Sequence, residues 1–280
     1  MDEEQLRPGQ PSLAGRALPP SPALPPLPPG PALLALPALL AGPARRRAGA
    51  VLAGCAVLVA VLGVMFAHQA PPNWVDRVID TPLIAWLGGH HALLMWLAFP
   101  ATLIPAGGIS AVVTIGCLVS RRPNGAILAA TAIPVASAIN DGLLKPLVHR
   151  GYADSLTFPS GHTTSMFALA AMITVLLRMP WRPAMPRLPR RLLLVAAWVL
   201  GCVVAIAVIG LRWHYFTDTV AGAAVGTGTV CGLALILDRP AIRRRLTWRG
   251  RPAVPERSGD AVGLFVWPAL PCRRCGLVLV

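Results

Sequence analysis

Charge is scarce in this chain of 280 residues: Asp, Glu, Lys and Arg together make up 13%, and Lys145 is the lone lysine among 25 basic residues. Aromatic residues are few as well, at 6%, with two tyrosines. A soluble domain carries about a quarter charged residues, so the shortage excludes an ordinary water-exposed surface. What fills the space is apolar, with 55% hydrophobic residues and a mean hydropathy of +0.63. Such a composition belongs in a bilayer.

A disulfide framework is also lacking. Cys55, Cys117, Cys202 and Cys231 lie inside apolar runs, where a thiol behaves as a small hydrophobe. Cys272 and Cys275 form a lone C-x-x-C without a second pair or a neighbouring histidine, so no zinc site is expected. The net charge of +14 would suggest nucleic acid in a soluble protein. Here the arginines flank apolar runs instead of forming one basic face, so the charge reads as membrane topology and no nucleic-acid partner is expected.

The runs divide the chain into three parts. Residues 1–47, rich in Pro and Ala, read as a disordered cytoplasmic tail; 48–238 as a membrane domain; and 239–280 as a basic cytoplasmic tail. The first span is expected over Ala48–His68, long enough to cross about 30 Å of hydrocarbon. Pro71–His91 is amphipathic and suits an interfacial helix or loop. His91–Ser120 reads as one kinked span, Asn124–Ile139 as the third, Ser160 to about Leu177 as the fourth, Leu192–Leu211 as the fifth and Tyr215–Leu237 as the sixth. Gly222 and Gly226, then Gly228 and Gly232, have the small-xxx-small spacing of close helix packing. The fold class expected is therefore all-α, a polytopic bundle of six transmembrane helices.

Of the 25 basic residues, only Arg77, Lys145, Arg150 and Arg212 fall on the side opposite the tails in this arrangement. Both termini are then cytoplasmic, in a multi-pass protein of the cell membrane. Lys145, the Ser160–His162 turn, Arg212 and His214 converge on the outer face, which is where an active site is expected.

The chemistry-bearing residues fit an anion. Ser160 before an apolar run can cap a helix, Gly161 admits close approach, and the free amides with the positive dipole end form a phosphate cradle. His162, in the first turn, could protonate a leaving oxygen. His214 and Asp218 are four apart; on a helix the carboxylate would take the Nδ1 proton and leave Nε2 as a nucleophile. Lys145, beside Asn140 and Asp141, is an ionisable residue at the end of an apolar run and so a phosphate-binding candidate, or a snorkelling lysine paired with Asp141.

These motifs resemble the type 2 phosphatidic acid phosphatase and haloperoxidase superfamily over roughly Ala48–Leu237. Its pattern is a Lys followed seven residues later by Arg-Pro, then Pro-Ser-Gly-His, then Ser-Arg ahead of His-x-x-x-Asp. Pro159-Ser160-Gly161-His162 is complete, and Lys145, His214 and Asp218 match. The family's first arginine position holds Tyr152, with Arg150 the nearest cation, and the Ser-Arg positions hold Ala207 and Val208. Arg212 lies four residues after Val208 and on a helix would share its face, restoring a clamp.

The resemblance implies a metal-free phosphohydrolase, catalytic at His214, His162 and Asp218. Asp218 would orient His214, and phosphate would bind at Lys145, Arg150, Ser160, Gly161 and Arg212. No acidic cluster accompanies these residues, so no metal and no other cofactor is expected. The substrate expected is a membrane lipid phosphate or diphosphate, of polyprenyl diphosphate or phosphatidic acid type. A silent relative that binds lipid phosphates without hydrolysis is the alternative, motivated by the two displaced arginines. A six-helix transporter would place its polar residues near mid-depth, whereas here they cluster at one end.

Overall fold

The computed structural model describes residues 38–40, 42–69, 72–152, 155–179, 185–240 and 242, all within one compact unit. Of the tail 1–47 expected to be disordered, residues 38–40 and 42–47 are ordered: the Leu39 and Leu40 amides donate to Asp238 at 2.8 and 2.7 Å, and Gly42 begins a helix. The rest of that tail, and the C-terminal tail beyond 242 with Cys272 and Cys275, lie outside the described residues.

Helix α1 spans Gly42–Phe66 and begins ahead of the expected Ala48, because Pro43 is tolerated in a first turn and the arginines that follow are good helix formers. α2 (Trp74–Leu87) starts with a capping box in which Asn73 accepts from the Asp76 amide at 2.9 Å. α3 (His91–Ala98) and α4 (Leu103–Val119) replace the single kinked span expected over 91–120. The break falls at a short 3-10 turn over Phe99–Ala101, which contains Pro100, and at Thr102, whose ψ of 159° is extended. Gly107 and Gly108, which also looked like interruptions, sit inside α4.

α5 (Pro123–Ser137) runs past the expected Ile139 into a π-helical turn, Ala138–Leu144, and then α6 (Lys145–Val148). A small hairpin, β1 (Gly151–Tyr152) and β2 (Ser155–Leu156), leads to α7 (Gly161–Arg178). α8 (Arg187–Gly210) and α9 (Phe216–Leu237) complete the described bundle.

Among the described residues, four stretches are long and apolar enough to cross a bilayer: α1, Pro123–Val148, α8 and α9. A fifth candidate is α2 with the α3 run, bent by 115° at their junction, while α4 is apolar but shorter. Over the described residues the protein is thus all-helical apart from the hairpin, and multi-pass.

Packing of α7 on α9 and of α1 on α9 centres on the glycines. A Cβ on Gly222 would stand 2.5 Å from the Ser160 carbonyl oxygen, and one on Gly226 would overlap the Thr164 carbonyl. Gly228 meets Cys55 of α1 in the same way, at 3.0 Å, whereas Gly232 has only Leu52 at 3.8 Å. The first pair brings α9 against the beginning of α7, where the site residues are. Gly226→Ala is expected to cost about 1–3 kcal/mol by overpacking, with Gly232→Ala within about 0.5 kcal/mol of wild type; thermal unfolding in detergent measures both.

Candidate active site

Ser160 caps α7: its buried side chain accepts from the Thr163 amide at 3.4 Å. The Gly161 and His162 amides of the first turn have no intrahelical acceptors, so they and the dipole present a positive end. Ser160 is fixed from behind by its own amide, which donates to the Asp218 carbonyl at 3.0 Å, and this bond ties the start of α7 to the first turn of α9.

The π-turn after α5 supplies the opposite wall. Pro134 has no amide to give the preceding turn, and the widened segment that follows carries Asn140 inward and Asp141 toward the cavity. Asn140 is fully buried; its Nδ2 donates to the Pro159 carbonyl at 3.3 Å and its Oδ1 accepts from Thr164 Oγ1 at 3.1 Å. It stitches the two walls together. Lys145 Nζ pairs with Asp141 Oδ1 at 2.8 Å.

His214 lies in the α8–α9 turn, ahead of α9, and its ring centroid is 6.1 Å from that of His162. Nδ1 is 3.0 Å from the Thr157 carbonyl oxygen, which can only accept, so Nδ1 carries the hydrogen and Nε2 keeps its lone pair. Burial, with His162 and Lys145 nearby, holds this imidazole down to about 3. It is therefore neutral near pH 7. The sign follows: below about 6.5 the unfolded chain takes a proton that folded His214 refuses, so stability is full above that pH and falls toward pH 3. Thermal unfolding from about pH 7 to about pH 4 is expected to decline less in His214→Ala than in wild type.

Three expected arrangements are not found in the structure. Asp218 does not orient His214, because the helix that would put them on one face starts only at Phe216. Its Oδ2 instead accepts from the Tyr215 amide at 3.0 Å, and its Oδ1 pairs with Arg150 at 2.7 Å. Arg150 is not available to a phosphate. It is fully buried, bonded to Asp76 at 2.6 Å, to Asp218 and to Thr217 Oγ1, with its guanidinium between the rings of Phe66 and Tyr215 at 4.5 and 4.6 Å. Arg212 shares no helix face with Val208, since α8 ends at Gly210 and Arg212 has a φ of 59°.

Two cavities meet at His214. One, of about 810 Å³, has Lys145, Asp141, Gly161, His162 and His214 at its polar end and runs between the apolar walls of α4 and α5. The other, of about 630 Å³, is lined by Arg77, Asp80, Arg212 and Tyr215 along α2. The structure therefore brings Lys145, Gly161, His162 and His214 together on the larger cavity, with Ser160 behind them; it places Arg212 with His214 on the second cavity, and ties Arg150 and Asp218 to each other in the interior. Asp76, Thr157 and Thr217 were not singled out in the sequence. Asp76 alone left a signal there, the Asn73-x-x-Asp76 cap. Among the described residues no group of three His, Cys, Asp or Glu side chains is arranged to hold a metal ion.

The family model described as PAP2 superfamily matches residues 46–241. The chain belongs to the PAP2 superfamily. Comparison with curated proteins gives no significant match. Among solved structures, the fold is similar to the crystal structure of a transmembrane PAP2-type phosphatidylglycerolphosphate phosphatase from Bacillus subtilis, with a TM-score of 0.52 and 16% identity, over 71% of this chain and 97% of that one. The PAP2 match includes every site residue discussed above and supports phosphatase activity in general.

Proposed function

We propose that this PAP2 protein is an integral-membrane phosphatase that hydrolyses lipid phosphates or diphosphates through a phosphohistidine at His214, without a metal. The observation that carries the reading is the larger cavity, which joins the two histidines, Lys145 and the start of α7 to an apolar slot of lipid-tail character. His214 Nε2 attacks phosphorus, the ester P–O bond breaks, and His162 gives its proton to the leaving oxygen. Water then attacks the phosphohistidine while giving a proton to His162, the P–N bond breaks, and inorganic phosphate leaves with both histidines restored. Lys145 and the Gly161 and His162 amides, set by Ser160, hold the equatorial oxygens, where transition-state charge gathers. Arg212, exposed on the second cavity, steers anions toward His214 from the aqueous side.

Six helices, α1, α4, α5, α7, α8 and α9, form the membrane bundle in this reading. Arg45–Arg47, Arg121, Arg122, Arg178, Arg187, Arg190, Arg191 and Arg239 all stand at the helix ends remote from His162 and His214. That distribution supports cytoplasmic termini and an extracytoplasmic site. A polyprenyl diphosphate or phosphatidic acid has the required shape, a phosphate head on a long apolar tail.

The test is phosphate release by the purified protein in detergent with EDTA present, from each of these two lipids. Release from either one supports the reading, and the faster lipid names the substrate class. No release from a folded protein moves the weight to a weak or silent relative that only binds lipid phosphates. One observation favours that alternative: with Arg150 locked away, Lys145 is the single permanent cation at the polar end of the larger cavity.

A further inference from the structure

Asp141 is a carboxylate inside the cradle just assigned to phosphate, and an anion there needs a reason. Its Oδ1 accepts from Lys145 Nζ at 2.8 Å and from Asn140 Nδ2 at 3.0 Å, and lies 3.7 Å from where a Cβ on Gly161 would be. Its side chain is 55% exposed, toward the cavity it lines with His162 and His214. The carboxylate thus already occupies part of the positive field that Lys145 and the α7 terminus create.

We propose that Asp141 makes the site select the singly protonated form of the phosphate group. A dianionic phosphate on Lys145 and the α7 amides would meet the Asp141 carboxylate with all its oxygens charged, and the two would repel. A monoanion turns its P–O–H toward Asp141 and donates a charge-assisted hydrogen bond, while its remaining oxygens take Lys145 and the amides. The titratable or charged groups facing Asp141 are Lys145 of α6, His162 of α7 and His214 of the α8–α9 turn; the α4 wall of the cavity contributes only neutral side chains. His162 also responds to pH, so the contribution of Asp141 is read as a difference between proteins that both retain both histidines. Asp141→Asn keeps the shape and can still accept from Lys145, but removes the charge.

The inference rests on the proposed phosphate site, and the experiment separates the two. Inorganic phosphate is used as the probe, and its inhibition constant is measured on the full-length wild-type protein and on Asp141→Asn at about pH 5 and about pH 8, between which a phosphate group passes from mostly monoanion to mostly dianion. The two constants are expected to agree within about threefold at the lower pH, with the variant about tenfold tighter at the higher. A wild-type to variant ratio that does not change with pH overturns the inference, as does weaker binding by the variant at both values, which would make Asp141 merely the holder of Lys145. Absence of phosphate inhibition in both folded proteins overturns the phosphate site itself. Direct phosphate binding by thermal shift repeats the comparison if the variant has lost turnover.

Discussion

Alanine in place of His214 is expected to lower phosphate release by at least about 10⁴-fold while leaving the protein folded. The size follows from what the residue does. In the proposed mechanism a covalent nucleophile divides one difficult displacement into two, and nothing beside it can take over, because His162 is assigned there as the proton donor and an ammonium such as that of Lys145 has no free lone pair. His214 is also well prepared: the Thr157 carbonyl fixes its tautomer, and its surroundings keep it unprotonated. The ring fills no tightly packed core position, being only partly buried between two cavities, so its loss costs little stability. Phosphate release and thermal unfolding, measured side by side, check both halves of the expectation.

Alanine at Arg150 is expected to have the opposite signature. One guanidinium neutralises two carboxylates in a spot where all three side chains are fully buried. Removing it leaves Asp76 and Asp218 as uncompensated charges, a loss of about 3–5 kcal/mol. The same change weakens the tie between α2 and α9, leaving Asp76 on the Thr217 amide, at 2.9 Å, and its hydroxyl, and Asp80 on the Phe216 amide at 3.3 Å. Activity therefore falls together with the unfolding temperature. Lys145→Ala is the contrasting case, expected to raise KM with little change in unfolding. Were Arg150 a phosphate ligand, its variant would behave like that of Lys145. Arg150→Lys keeps the charge but not the two-pronged geometry, and is expected to recover only part of the stability.

These contrasts mark what was legible in the sequence. The α7 start was legible because a cap is local: Ser160, Gly161 and His162 carry their roles within one turn. Lys145 stood out as the single lysine, and its pairing with Asp141 was legible from their four-residue spacing. Arg150 was misread because its partners, Asp76 and Asp218, are 74 and 68 residues away, and no periodicity reports a pairing at that range. The His214–Asp218 spacing misled for a local reason. Four-residue spacing means a shared face only inside a helix, and Asp218, by capping the Tyr215 amide, helps to start the helix after His214. The glycine pairs of α9 were visible as a motif, though not which helix each would meet. The π-turn at Ala138–Leu144 had no sequence signature beyond Pro134 and Gly142, yet it is what turns Asp141 into the cavity.

The central claim is that phosphorus becomes bonded to His214, and the most direct measurement is to trap it. Protein mixed with a lipid phosphate labelled in its phosphoryl group, then quenched in alkali within the first turnover, is expected to retain label on the peptide carrying His214, stable to base and lost in acid. His214→Ala is expected to retain none. Label on another residue, or equal labelling of the variant, would contradict the account.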